Sequence, residues 1–200
     1  MPTLTYSPPN YTSGNVIYGT GILFTAAVGT SLPSDANLGV GSAWTGLGWA
    51  YVGALLDGVT VTFAPTTQNI MVEEQPTPVG VAISTATLTF TCNMSEETLN
   101  NVNLAWGNAG SIAVTAAGAG QPGKSVLTLS TNFTNVAAAI VGKNAFGYAG
   151  VLQVPSMISA GQVQTAYRRA AQQRVYPLTL NSVCPFSSIT WTYLTAVATS

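Results

Sequence analysis

Histidine is absent from all 200 residues. Without it there can be no Ser-His-Asp or Cys-His arrangement, no His-ligated zinc and no imidazole general base. Charge is nearly as scarce: 6% of residues ionise, against about 25% in an ordinary soluble domain. The hydrophobic share of 47% is unexceptional, so Thr, Ser, Asn, Gln and Gly stand where charge is missing. A monomer keeps itself dispersed with surface charge and a net charge away from zero. With a net charge of −1, the chain is either a neutral, polar-surfaced monomer or one whose surface is covered by neighbouring subunits, and the composition favours the second. Cysteine is limited to Cys92 and Cys184, too few for a disulfide scaffold or a four-cysteine metal site. Their apolar and β-type flanks predict free, buried thiols in a reducing compartment. Residues 1–6 have neither a positive region nor an apolar run, so no signal peptide is expected. The apolar-leaning stretch 16–28 is broken by Gly19, Thr20, Gly21 and Thr25 and is too short to span a membrane. No tandem period is evident, which argues against propellers and solenoids.

The few charges are sorted along the chain. The acids are Asp35, Asp57, Glu73, Glu74, Glu96 and Glu97; the bases, all later, are Lys124, Lys143, Arg168, Arg169 and Arg174. Acids and bases either meet inside one fold or meet between subunits in a head-to-tail contact. Neither adjacent acid pair suits catalysis. On a strand Glu73 and Glu74 would point to opposite faces, and Glu96 and Glu97 suit the first turn of a helix. Five bases over fifty-one positions are too sparse for a nucleic-acid tail. The densest group, Tyr167, Arg168, Arg169 and Arg174, is expected to be an interface or solvated strand rather than a nucleic-acid site.

Short β-branched and aromatic runs punctuated by Gly, Pro and Asn predict a mainly β chain. The candidate strands are 15–26, 43–51, 59–64, 69–73, 81–92, 111–116, 125–131, 148–153, 163–170, 174–180 and 189–197. Alternation over 81–92 is imperfect, which suggests cover on both faces. One helix is predicted near 95–106, with Ser95 as N-cap, Leu99, Val102 and Trp106 as its buried stripe, and Gly107 as its stop. Asp57-Gly58 is a tight-turn signal.

Residues 118–125, Gly-Ala-Gly-Gln-Pro-Gly-Lys-Ser, fit the phosphate-binding pattern G-x-x-x-x-G-K-S and contain G-x-G-x-x-G. A helix should start at Lys124, but 126–132 has no helical period. No acid follows Glu97 to hold the magnesium or a ribose. A glycine-rich hairpin loop between two strands is the expectation, with no cofactor or metal and no enzymatic role.

An ordered set of short motifs carries a resemblance. Gly29-Thr30-Ser31-Leu32-Pro33-Ser34-Asp35 is followed by Trp44-Thr45-Gly46-Leu47-Gly48, Asp57-Gly58-Val59, Ile70-Met71-Val72-Glu73-Glu74-Gln75, Pro78-Val79 and the segment with Glu97 and Asn100. From Gly29 to about Gly107 the chain resembles the major tail proteins, or tail-tube proteins, of siphophages, particularly those of actinobacteria. The resemblance implies a single domain over 1–200, a β-sandwich or partial barrel with one short flanking α-helix and an N-terminal arm over 1–14. It implies six copies in a ring, each giving part of a sheet that closes across the ring, and rings stacked into a hollow tube. DNA would pass without specific binding, no membrane would be involved, and tape-measure, tail-terminator and distal tail proteins would be partners. The protein would lie in the virion tail after assembly in the host bacterial cytoplasm. Residues 43–60 are expected to form an apolar hairpin that contacts a neighbour or, alternatively, folds onto its own sandwich. The expected assembly interface is Trp49, Tyr51, Leu55, Leu56, Glu73, Glu74, Arg168, Arg169 and Arg174. A decoration or baseplate protein, or a carbohydrate-binding β-sandwich, are the competing readings.

Overall fold

The computed structural model describes residues 17–144, 148–165 and 174–194; the expected arm over 1–14, Arg168 and Arg169 lie outside them. The fold is mainly β. Ten strands alternate with two short helices: β1 (Ile17–Ala27), α1 (Gly41–Gly46), β2 (Ala50–Tyr51), β3 (Leu55–Val72), β4 (Gln75–Met94), α2 (Leu99–Ala105), β5 (Ser111–Thr115), β6 (Lys124–Thr128), β7 (Val136–Asn144), β8 (Ala149–Ser159), β9 (Tyr176–Ser182) and β10 (Thr190–Tyr193). Eight strands form one antiparallel sheet in the order β2-β1-β7-β8-β9-β4-β3, with β10 also paired to β8; β5 and β6 make a separate hairpin.

β2 and β3 end that path at opposite edges, yet only Val52, Gly53 and Ala54 join them. Four Cα steps reach about 14 Å at most, so the sheet has to curl until its ends nearly meet. The result is a partial barrel. Its corner lies in β8, where Gly150 to Gln153 pair with β10 and Met157 to Ser159 pair with β9. Between them the β7 register jumps from Val154 to Met157. Pro155 falls in the jump, a place where its missing N–H costs no regular ladder bond.

Two cores follow from strict alternation in β1, β7 and β8. Leu23, Ala138, Leu152 and Val154 join Phe90, Leu178, Leu180 and Leu104 inside the curl. Phe24, Ala137, Ala139 and Val151 face the other way, onto Leu38, Trp44 and Trp49. β7 is therefore covered on both faces, and three consecutive alanines let the layers approach. Alanine is depleted in strands, so this central strand gave no β signal in the sequence.

Residues 43–51 form no long strand and 43–60 no hairpin, since β2 pairs with β1 and β3 with β4. α1 carries Trp44 inward, where its ring stacks on Phe24 at 4.8 Å and meets Trp49 edge-on at 5.2 Å. Each indole N–H has a carbonyl: Trp44 Nε1 donates to Leu38 O (2.9 Å) and Trp49 Nε1 to Ser31 O (2.8 Å). Full burial of two tryptophans with both polar atoms satisfied outweighs the local β tendency.

α2 starts later than its sequence signal. Thr98, not Ser95, is the N-cap, its Oγ1 accepting from Asn101 N at 3.1 Å. Its buried residues are Asn101, Leu104 and Ala105, whereas Trp106 is exposed. Asn101 is held because its Nδ2 donates to Val52 O (2.8 Å) and Glu96 O (3.0 Å), tying the helix to the β2–β3 link. The stop is as predicted: Gly107 sits at φ 100°, with Gly107 N bonded to Leu104 O and Asn108 N to Asn103 O, the paired bonds of a Schellman ending.

Candidate assembly surface

The strands expected at 59–64, 69–73 and 81–92 are two very long strands of a single hairpin. β3 and β4 pair from Leu55 with Met94 to Val72 with Gln75. β9 covers only Thr89 to Met94 of β4, and the outer edge of β3 has no partner among the described residues. Beyond Phe63 and Leu88 the hairpin is a bare two-stranded arm, roughly 30 Å long at about 3.3 Å per residue. Glu73 and Glu74 form its turn, not opposite faces of a strand. Asp57-Gly58 is no hairpin turn either: Gly58, at φ 74°, lies in the irregular register between Leu55 and Val59 at the arm's root.

The arm has two unlike faces. Paired residues of an antiparallel ladder share a face, so Val61 with Phe90, Phe63 with Leu88 and Pro65 with Ala86 continue the core side outward. The opposite side pairs Thr60 with Thr91, Thr62 with Thr89 and Thr66 with Thr85. Along β4 alone, Val81 and Ile83 share odd positions with those threonines. The register shift at Ser84 corrects this: Thr66 pairs Thr85, but Thr67 pairs Ile83. One extra residue turns the following side chains over. Ile83 and Val81 thereby join the apolar face of Phe63 and Leu88, which explains the broken alternation without cover on both faces.

Nothing in the described chain covers this apolar face past Phe63, whose ring meets Phe186 at 4.9 Å. Val81 and Ile83 are each 63% exposed. Near the tip Ile70, Met71, Val72 and Val79 are exposed too, so apolar groups stand on both faces there. Isolated two-stranded hairpins are marginal in water, and long uncharged edges invite pairing with another chain. From Val59 to Val72, and throughout β4, no residue is charged.

The other expected interface residues divide. Trp49 is 1% exposed and belongs to the core, so it is no surface residue. Leu55 is half-buried against the inner core, while Tyr51 and Leu56 are exposed. Arg174 pairs with Glu97 of the same chain (3.1 Å), and Tyr176 Oη donates to Glu97 Oε1 at 2.9 Å. Glu96 is not in the first turn of α2 either: its Oε1 accepts from Ala54 N (2.9 Å). Gly53, at φ 96°, leaves the room for that carboxylate, which a Cβ would approach to 2.7 Å.

The sequence features that suggested chemistry take structural places among the described residues. β5 and β6 are antiparallel neighbours, their loop pinned by mutual bonds between Gly118 and Gln121 (3.1 and 3.0 Å). Lys124 opens a strand, so the strand-loop-helix geometry of a phosphate cradle does not form. A cleft of about 450 Å³ between β1–β2 and α2 is lined by amides and hydroxyls, among them Thr25, Tyr51, Asn100 and Asn103, with Glu96 its one carboxylate. Among the described residues no three His, Cys, Asp or Glu cluster as a metal site would require, and no helix is long and apolar enough to cross a membrane. Both cysteines are free and half-buried; burial pushes the Cys92 thiol up to about 11. Comparison with models of known protein families and with curated proteins returned no match.

Proposed function

We propose that this chain is the self-assembling subunit of a hollow tube, the tail tube of a long-tailed bacteriophage, built from stacked six-membered rings. The observation that carries the reading is the β3–β4 arm: an uncharged hairpin whose apolar face runs out from the core with no cover from the described residues. A subunit with such an arm gains by laying it on a copy of itself. Each half-exposed Val, Ile or Phe then removed from water contributes on the order of 1 kcal/mol. The ordered motifs from Gly29 to Gly107 support the same assignment, as does a charge content of 6%. In this reading the chain has no catalytic role, DNA passes through the bore unbound, and tail-terminator, tape-measure and distal tail proteins meet the tube. A capsid decoration or baseplate subunit would use the same arm in a closed assembly of limited size.

Electron microscopy of the purified protein tests the proposal. Hollow tubes or six-fold rings are expected from the wild type. The double variant Val81→Asp, Ile83→Asp should stay a folded monomer, because both side chains lie on the exposed apolar face and outside the core. Unchanged tubes from that variant, or a wild type that remains monomeric when concentrated, would sink the reading. One observation favours a carbohydrate-binding module instead: Trp191 and Tyr193 stack at 6.0 Å on edge strand β10, 62% and 47% exposed. That alternative requires sugar-dependent thermal stabilisation, lost in Trp191→Ala.

A further inference from the structure

We infer that the threonine face of β3, β4 and β9 lines the bore, as a charge-poor, hydroxyl-covered wall past which duplex DNA slides. The inference rests on the tube reading and adds which surface turns inward. It follows from where the body of the subunit lies. Leu88, Phe90 and Met94 of β4 and Tyr176, Leu178 and Leu180 of β9 are buried in the core that α2, β1, β7 and β8 complete. Among the described residues, that mass stands on one side of the three strands. When such strands close around an axis, the bodies must take the outer side, where there is room. The other side then faces the axis.

That other side has an unusual chemistry. Its cross-strand pairs Thr62 with Thr89 and Thr66 with Thr85 continue across β9, where Thr91 meets Thr179 and Thr89 meets Asn181. Thr89 Oγ1 donates to Asn181 Oδ1 at 2.9 Å, so the surface is partly self-bonded. β9 and β4 contain no ionisable acid or base apart from Cys92 and Tyr176, which belong to the core side, and β3 has only Asp57, which stands at the root of the hairpin in a groove with Thr60, Thr91 and Thr179. Lysines here would hold DNA through counterion release. A wall dense in carboxylates would oppose its entry. Threonine does neither, and its branched side chain is short and restricted at χ1, so it keeps a layer of water without reaching for a phosphate. Near the tip Ile70 takes over this face opposite Gly80, which marks where the arm leaves the bore for contact with another copy.

Tubes assembled from Thr66→Cys and, separately, Thr87→Cys test the assignment, with labelling of Cys92 and Cys184 in wild-type tubes as the baseline. A small maleimide should label the new thiol fully. A maleimide carried on a globular protein wider than the bore should add no label above baseline. Labelling by both reagents would place the face outside and overturn the inference while the tube stands. Labelling by neither, or failure of both variants to assemble beside a competent wild type, would make the face a subunit contact and overturn it as well. Absence of tubes from the wild type removes the tube reading itself, and the inference with it. As an independent measurement, Thr66→Lys tubes should retain nuclease-protected duplex DNA that wild-type tubes do not. With six lysines per ring, that retention should fall roughly 10³-fold between 50 and 200 mM salt. Retained DNA that nuclease digests fully would again overturn the placement.

Discussion

Single residues decide how the body of this protein meets its arm. Gly53 and Glu96 are one example: a left-handed glycine makes space for a carboxylate that satisfies the Ala54 amide and fastens the β2–β3 link to the start of α2. Cys92 is another, at the rim of the inner core opposite Val59. Its thiol is pushed from 9.0 up to about 11 by burial, and this has a signed consequence. Below pH 9 the thiol is neutral in folded and unfolded chains alike, so its contribution to stability is fully present. As pH rises from 9 towards 11 the unfolded thiol ionises while the folded one does not, and stability drains away across that window. Denaturation midpoints from pH 8 to 11 should therefore fall more steeply for wild type than for Cys92→Ala. Equal slopes would show that the thiol ionises freely in the fold.

At the scale of elements, the long hairpin behaves as two objects in series. Its root is part of the barrel, where β4 is clamped between β3 and β9 and carries Leu88, Phe90 and Met94 into the core. Its outer half contributes no buried residue between Thr66 and Thr85. Replacing residues 66–85 with a two-residue Asn-Gly turn should leave stability within about 1 kcal/mol of wild type, as for changes away from buried contacts. The same variant should not assemble. Urea unfolding and sedimentation together check both halves, and a large stability loss would mean that the arm rests on its own body. The bulge at Ser84 is the device that makes the arm useful. It turns Val81 and Ile83 onto the side where Phe63 and Leu88 already lie, so one continuous apolar strip results.

Across the whole molecule, the acid-first, base-later order of the charges is partly resolved within one chain. Glu97 and Arg174 pair across the 77 residues that separate them, both around two-fifths exposed. Pairs that open to solvent contribute little. The arm, by contrast, is uncharged along its length, with Glu73 and Glu74 confined to its turn. Assembly driven by such an arm should be apolar in character. Raising salt from 0.05 to about 0.5 M, which shortens the screening length severalfold, is expected to leave the critical assembly concentration unchanged within a factor of about three. A steep loss of assembly with salt would assign the recognition to the sorted charges instead.

What the sequence determined by itself was the class of the chain: β-branched runs, Gly and Pro punctuation and the glycine-rich hairpin at 118–125 are all local signals, and local signals survive without knowledge of neighbours. The Gly107 stop was legible for the same reason. Tertiary structure decided the rest. β7 was hidden because an alanine strand is stabilised by what covers it and not by its own propensity. Residues 43–51 left the strand state because two indoles found a shared pocket with carbonyl partners. The candidate surface was only half visible: its apolar residues could be counted in the sequence, but the pairing that unites Val61, Phe63, Val81 and Ile83 depends on a one-residue register shift. Register is a relation between strands, and no single strand contains it.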